Sequence, residues 1–393
     1  MVRRFSRISL TVAFWRARLH VIYFFFWKAA SSLNEADRRP QRHTNIKDRE
    51  CTMRKRIAFM IVLGALVSAI AANSFAAPIT LRFAQQNPDT GWSTLNCVIP
   101  WLEQVEKATN GQIKFQSYHS QTLAKGKDMW NAVKAGITDV GWCFHGYWPG
   151  MTPLSDVVSL PALPFRTAEK GSEVLWKLYE KFPTIQDEYK DVKVLLFYTS
   201  EPYTLLTRKP VQSMEDMKGL KVRMTGGPPT DMMKALGGVP VLIPMPDNYI
   251  SMQKGVIDGL GVPWEAIHVW RFYEVGSHYT EGVFPAVYFS IAMNKNKWNS
   301  LPKDVQDAIM SVSGLEGSKF WGRMFMDAMK AETLKTIEAQ GQKANVIQLS
   351  EKERERWLEV GGKPIWAQWV KDMQAKGHPE AQQILDATLE LSK

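Results

Sequence analysis

Asp216-Met217-Lys218-Gly219-Leu220-Lys221-Val222-Arg223-Met224-Thr225-Gly226-Gly227-Pro228-Pro229 is the stretch that decides the fold reading. A short β-type run ends at Arg223, a Gly/Pro turn follows, and a helical pattern starts near Thr230. A guanidinium is thereby set at the carboxyl end of a strand, beside a turn into a helix, where open α/β sheets hold their ligands. Its planar fork matches a carboxylate bidentately and keeps its charge. The same residue would also serve as a surface ion pair, and the local sequence leaves both readings open.

Outward from this stretch the pattern stays α/β. Ile79–Ala84, Ile113–Tyr118 and Val140–Phe144 read as strands, with helices expected over Ser93–Ala108, kinked at Pro100, and Asp128–Ala135. Val192–Phe197 is a further strand, Thr230–Leu236 is helical, Val239–Ile243 is extended, and Tyr249–Lys254 is a short helix. From Pro302 the chain becomes helical over Pro302–Val312, Ser318–Gln340, Ser350–Glu359 and Pro379–Leu391, with both prolines suited to a first turn. Strands alternating with helices imply βαβ units and a mainly parallel sheet.

The amino-terminal segments belong to a different problem. Met53-Arg54-Lys55-Arg56 is a basic head, Ile57–Ala72 is apolar apart from Ser68, and Ser74-Phe75-Ala76 supplies the small residues that a signal peptidase reads. Residues 53–76 therefore read as a secretory signal peptide, with an apolar core short for a membrane span. Residues 1–52 are expected to be an upstream extension, with Met53 the initiator.

The 393-residue chain carries 49 Lys+Arg against 39 Asp+Glu, but residues 1–76 hold 14 of the basic and 4 of the acidic ones. The remaining 317 residues keep 35 of each, so the high pI argues for neither nucleic acid nor a membrane surface as partner. That length suits two lobes. Cys97 and Cys143 lack any Cys-x-x-Cys or metal-ligand spacing and are expected as free buried thiols.

Catalytic signatures are missing: no Walker loop, no His-Glu-x-x-His, no Gly-x-Ser-x-Gly. The histidines have no Cys or carboxylate at triad or metal spacing, so neither a metal nor a cofactor is expected. Aromatic residues do cluster after strand ends: Trp92, then Trp142, Phe144 and His145, then Tyr203, then Trp264. Core packing and ligand contact are both open for them. A cleft lined by aromatics with one fixed cation would suit a small organic acid with a nonpolar body.

Asp216–Arg223 resembles the Asp-x-Lys-Gly-Leu-Lys-[Ile/Val/Leu]-Arg run of TRAP transporter solute-binding proteins, the DctP-type extracytoplasmic receptors. The resemblance continues through Ala132–Asp139, Ala235–Pro240, Tyr249, Gln253–Gly259 and Asn296–Pro302, in that family's order and over essentially the whole of 77–393. It implies a two-lobed α/β fold like that of type II periplasmic binding proteins, with a ligand cleft between the lobes and long carboxyl-terminal helices. Lobe I would comprise 77–200 plus about 289–328, and lobe II about 201–288 plus 329–393. The implied function is capture of an organic acid in the periplasm, by a monomer, for delivery to a membrane permease. A secreted α/β enzyme and a sensor for a membrane kinase stay open as alternatives.

In that family the arginine of the Leu-Lys-x-Arg run binds the substrate carboxylate, a role the resemblance carries onto Arg223. Met245 and Phe144 fall at variable ligand-facing positions. The second arginine of sialic-acid receptors falls near Tyr203. The family asparagine after Val-Asp-Gly is missing where this chain reads Gly259-Leu260-Gly261-Val262-Pro263-Trp264-Glu265, which brings Trp264 and Glu265 among the expected contacts. Aromatics in place of polar sugar readers point away from sialic acid, towards a monocarboxylate with an aromatic or aliphatic body.

Overall fold

The computed structural model describes residues 77–393. The signal-peptide and upstream-extension readings, residues 1–76, lie outside the described residues. The described chain builds two sheets. The first contains β1 (Ile79–Ala84), β2 (Ile113–Tyr118), β3 (Val140–Phe144), β4 (Val192–Thr199) and β10 (Tyr288–Asn294), in the order β2-β1-β3-β10-β4. The second contains β5 (Thr204–Thr207), β6 (Lys221–Arg223), β7 (Val239–Val241), β8 (Gly259–Val262), β9 (His278–Glu281) and β11 (Asn345–Gln348), in the order β11-β9-β5-β8-β6-β7. These are the two lobes of a mixed α/β fold.

The expectation of mainly parallel sheets needs correcting. β10 runs antiparallel to both β3 and β4, and β5 runs antiparallel to both β8 and β9. The reason is the route of the chain. It crosses from β4 directly into β5, and from β9 directly into β10, with no crossover helix to reverse its direction. The two crossings lie side by side: Ser200 N–H donates to Val287 O at 2.7 Å, and Tyr203 N–H to Pro285 O at 2.9 Å. A pair of extended segments bonded to each other is the natural place for one lobe to turn against the other.

Local chemistry explains the elements that frame the site. Every residue of β3 is buried, as expected for a strand covered on both faces. The helix expected over Ser93–Ala108 divides: Thr94–Val98 forms wide π-type turns and Ile99–Ala108 is regular. Pro100 lies in the first turn of the regular part, where its missing N–H costs least. The expected Ser318–Gln340 helix likewise divides into Gly314–Trp321, π-type turns over Gly322–Asp327, and Met329–Ala339. Asp327 at that break accepts from Ala168 N and Glu169 N at 2.7 and 2.9 Å, capping the helix Ala168–Lys181.

The apolar core runs through both lobes. Trp101, Trp142, Phe144, Tyr198, Phe289, Trp321 and Phe325 belong to one buried cluster that also reaches Tyr203 and Met224 on the second sheet's side. The helices Lys363–Ala375 and Ala381–Leu391 contribute Trp369, Ile384 and Leu385 to the cluster around Tyr189 and Phe197, next to the first sheet. Cys97 and Cys143 are buried and free. Among the described residues no helix is long and apolar enough to cross a membrane.

Candidate functional site

β6 ends at Arg223, paired through its last residue with Leu260 of β8 and Val241 of β7. The turn after it is built for close approach. Gly227 sits at φ +77°, a left-handed conformation that a side chain would resist, and Pro228 opens the helix Pro228–Ala235 directly behind it. Arg223 does not reach the surface, being only 1% exposed. Its Nε donates to Ile243 O at 3.1 Å, but Nη1 and Nη2 are buried and meet no acceptor among the described residues. The surface ion-pair reading is therefore excluded. A buried guanidinium edge with two unmatched nitrogens is expensive unless something supplies a carboxylate.

Beside this edge the two lobes meet. Gly226 N–H reaches Gly146 O at 3.4 Å, joining the turn after β6 to the turn after β3. A Cβ on Gly146 would stand 3.0 Å from Thr225 Cβ and 2.5 Å from Phe144 Cζ. Tyr147 spans the same seam, donating to Gln86 Oε1 at 2.9 Å and accepting from Met245 N at 3.2 Å. Tyr203 pairs with the Thr225 hydroxyl at 3.4 Å. Burial raises the Tyr203 phenol to about 12, against the opposing pull of the nearby Arg223 charge.

A cavity of about 20 Å³ lies on this seam, lined by Gln86, Asn87, Trp142, Phe144, Tyr203, Met245, Pro263, Glu265, Ala266, Trp270, Val287 and Phe289. Its apolar wall is an aromatic stack: Phe144 on Phe289 at 4.8 Å between ring centroids, and Tyr198 on Phe289 at 4.7 Å. Its polar end is Glu265, on the helix Trp264–Val269, which accepts from Ser93 Oγ at 2.7 Å and Asn87 Nδ2 at 3.3 Å. Desolvation raises the Glu265 carboxyl to about 7, against the Ser93 hydrogen bond that lowers it.

Of the residues singled out in the sequence, Trp142, Phe144, Tyr203, Met245 and Glu265 line this cavity, and Tyr203 links it to Arg223. Three others lie elsewhere. His145 is sealed in lobe I, stacked on Tyr288 at 4.7 Å and bonded to Ser290 Oγ at 2.9 Å and Thr152 Oγ1 at 3.2 Å. Burial lowers it to about 3, so it is a neutral core histidine. Trp264 stacks on Tyr279 at 5.0 Å and donates to Glu281 Oε1 at 3.0 Å. It faces a separate open depression of about 320 Å³, whose charged lining includes Arg166, Glu201, Asp327 and Arg354. Trp92 borders another surface hollow with His268 and Arg271. Both tryptophans follow strand ends, but the turn after each points them away from the seam.

Sequence reading missed Gln86, Asn87, Trp270, Val287 and Phe289. Gln85-Gln86-Asn87 could have been found, because three amides directly after the carboxyl end of β1 are an unusual cargo for a core, and all three are buried. Val287 and Phe289 come from the strand that returns from the other sheet, and no local signal marks it. Among the described residues no His, Cys, Asp and Glu cluster could hold a metal ion.

Comparison with known proteins places this geometry among binding proteins. The sequence pattern of the bacterial extracellular solute-binding proteins, family 7 (DctP), matches residues 85–372. The chain is 27% identical over 341 residues to the outer membrane transporter protein TsaT of Comamonas testosteroni, covering 85% of this chain and 96% of that one. A TRAP solute-binding protein from Rhodoferax ferrireducens T118, solved with copurified benzoate, superposes with a TM-score of 0.75 at 27% identity, over 80% of this chain and 97% of the other. A marine metagenome TRAP solute-binding protein from an unidentified microbe, specific for aromatic acids and co-crystallised with 3-hydroxybenzoate, gives a TM-score of 0.75 at 27% identity, over 81% and 98%.

Proposed function

The chain belongs to the bacterial extracellular solute-binding proteins of family 7, the DctP family, and on that premise we propose that it captures a small organic monocarboxylate with an aromatic or aliphatic body and hands it to a TRAP membrane permease. The observation that carries this reading is Arg223: buried, held by one bond through Nε, and with both η nitrogens unmatched among the described residues. A ligand carboxylate would take both in the bidentate geometry that a guanidinium favours. Phe144, Trp142, Phe289 and Met245 would then flank the ligand body. The benzoate and 3-hydroxybenzoate bound to the two neighbours support the same ligand class.

The reading is one of binding without turnover. The cavity of about 20 Å³ has room for about one water, so a ring enters only when the lobes part along the crossing segments. Closure then brings the Gly146–Gly226 seam together and removes water from the ion pair, which strengthens it as the local dielectric falls. Residues 53–76 would export the protein to the periplasm, where it works as a monomer with no cofactor.

Titration calorimetry with benzoate and its hydroxylated relatives tests the reading. Arg223→Ala is expected to weaken binding by about two orders of magnitude or more, since breaking a buried pair costs about 3–5 kcal/mol. Arg223→Lys is expected to fail too, because the fork is lost. Wild-type affinity in either variant would refute the assignment. Mass spectrometry of the incubated ligand is expected to return it unchanged, and a new product would favour an enzyme.

A further inference from the structure

We propose that Glu265 reads the far end of the ligand, accepting a hydroxyl from its body and excluding a second carboxylate, so that the preferred ligand is a hydroxylated monocarboxylate. The proposal rests on the assignment of the near-end carboxylate to Arg223. Three observations carry it. Glu265 lines the cavity that the aromatic stack walls and is 4% exposed. Both hydrogen bonds it receives, from Ser93 Oγ and Asn87 Nδ2, go to Oε1, and neither donor is cationic. Oε2 takes no hydrogen bond from the described residues, on a side chain that itself lines the cavity.

A buried carboxyl with one oxygen anchored and the other free is an acceptor aimed at whatever fills the cavity. Ser93 lies just before the π-type turns and Asn87 follows β1, so lobe I fixes the direction of a side chain carried on a helix that follows β8 of lobe II. A ligand hydroxyl satisfies Oε2. A ligand carboxylate would face a like charge, which weakens binding by about a hundredfold or more. An unsubstituted ring would leave Oε2 stripped of water and unpaired.

The test is calorimetry at pH 8 on wild type, Glu265→Gln, Glu265→Leu and Arg223→Ala. The probes are benzoate, 3-hydroxybenzoate, 4-hydroxybenzoate, isophthalate and terephthalate. Wild type is expected to favour one hydroxybenzoate over benzoate by about tenfold or more, and to bind both dicarboxylates at least about a hundredfold more weakly than that hydroxybenzoate. Glu265→Leu is expected to abolish the hydroxyl preference while still binding benzoate. Glu265→Gln keeps Oε1 for Ser93 and Asn87 and turns an N–H₂ towards the ligand. It is therefore expected to retain hydroxybenzoate binding and to narrow the dicarboxylate gap by about tenfold or more. This conservative variant decides the matter if the leucine variant does not fold.

Wild type that ignores the hydroxyl and accepts dicarboxylates overturns the proposal. So do variants of Glu265 with wild-type ligand ratios, if Arg223→Ala has lost every acid; that outcome leaves the Arg223 reading standing. An Arg223→Ala protein that binds all five acids like wild type removes both together.

Discussion

The Tyr147 hydroxyl bridges the two lobes at the seam. Tyr147 OH accepts from Met245 N in the second lobe while donating to Gln86 in the first. Tyr147→Phe leaves the ring against Phe144, where it packs edge-on at 4.8 Å, and removes only the bridge. In the closed state Met245 N–H would then be buried without a partner, a cost of about 1–3 kcal/mol. Ligand affinity is expected to fall by about tenfold, with the unliganded protein melting within about 0.5 kcal/mol of wild type. A large drop in unliganded stability with unchanged affinity would mean that the hydroxyl serves the fold of lobe I and not closure. Arg223 belongs to the same scale. The motif around it suggested the proposed role, but its isolation was not legible there, because which acceptors reach a side chain is a property of the packed molecule.

At the scale of elements, the turns after β3 and β6 meet across the seam. Gly146 has no space for a side chain: a Cβ would come within 3.0 Å of Thr225 Cβ across the seam. Gly146→Val should hold the lobes apart and also push the Phe144 ring aside within lobe I, since a Cβ would stand 2.5 Å from its Cζ. The expected result is faster ligand release in stopped-flow measurements and loss of ligand-induced compaction in small-angle scattering, with a lowered melting temperature from the displaced ring. Equal compaction in variant and wild type would show that the seam is not the closing contact. The strand order tells a related story. Period-two alternation marked β1 in the sequence and β2 and β3 read as strands after it, yet β5 and β10 run against their neighbours because the chain crosses directly from β4 into β5 and from β9 into β10. Direction within a sheet is set by the route between strands, and local alternation carries no record of that route.

For the molecule as a whole, buried acids set the response to pH. Desolvation raises the carboxyls of Glu265 and Asp156 to about 7 and that of Glu201 to about 8. Acids raised on folding bind more protons in the native state, so they stabilise at low pH, and that contribution is lost as pH climbs through the raised values. His145, lowered to about 3, works in the opposite sense only below its ordinary value near 6.5. The window from about pH 6.5 to 8.5 is therefore governed by the acids. The melting temperature of the unliganded protein is expected to fall across it, and Glu265→Gln is expected to flatten the lower part of the fall. A melting temperature that stays level over this window would show that these carboxyls are already ionised in the folded state.

What the amino-acid sequence determined by itself is the class of machine. Short-range features write it: alternation in the strands, Gly and Pro at the turn after Arg223, an even charge balance once residues 1–76 are set aside, and a run of motifs in a family's order. Each depends on neighbours a few residues apart, so a linear reading recovers it. Tertiary structure alone decided which aromatics meet the cavity. Trp142 and Phe144 turn in, while Trp92, Trp264 and His145 turn away, although all five lie within or after a strand. It also decided that, among the described residues, Arg223 Nη1 and Nη2 and Glu265 Oε2 meet no hydrogen-bond partner. These are facts of burial and pairing between segments far apart in the chain, and burial is a property of the folded surface that no single segment carries.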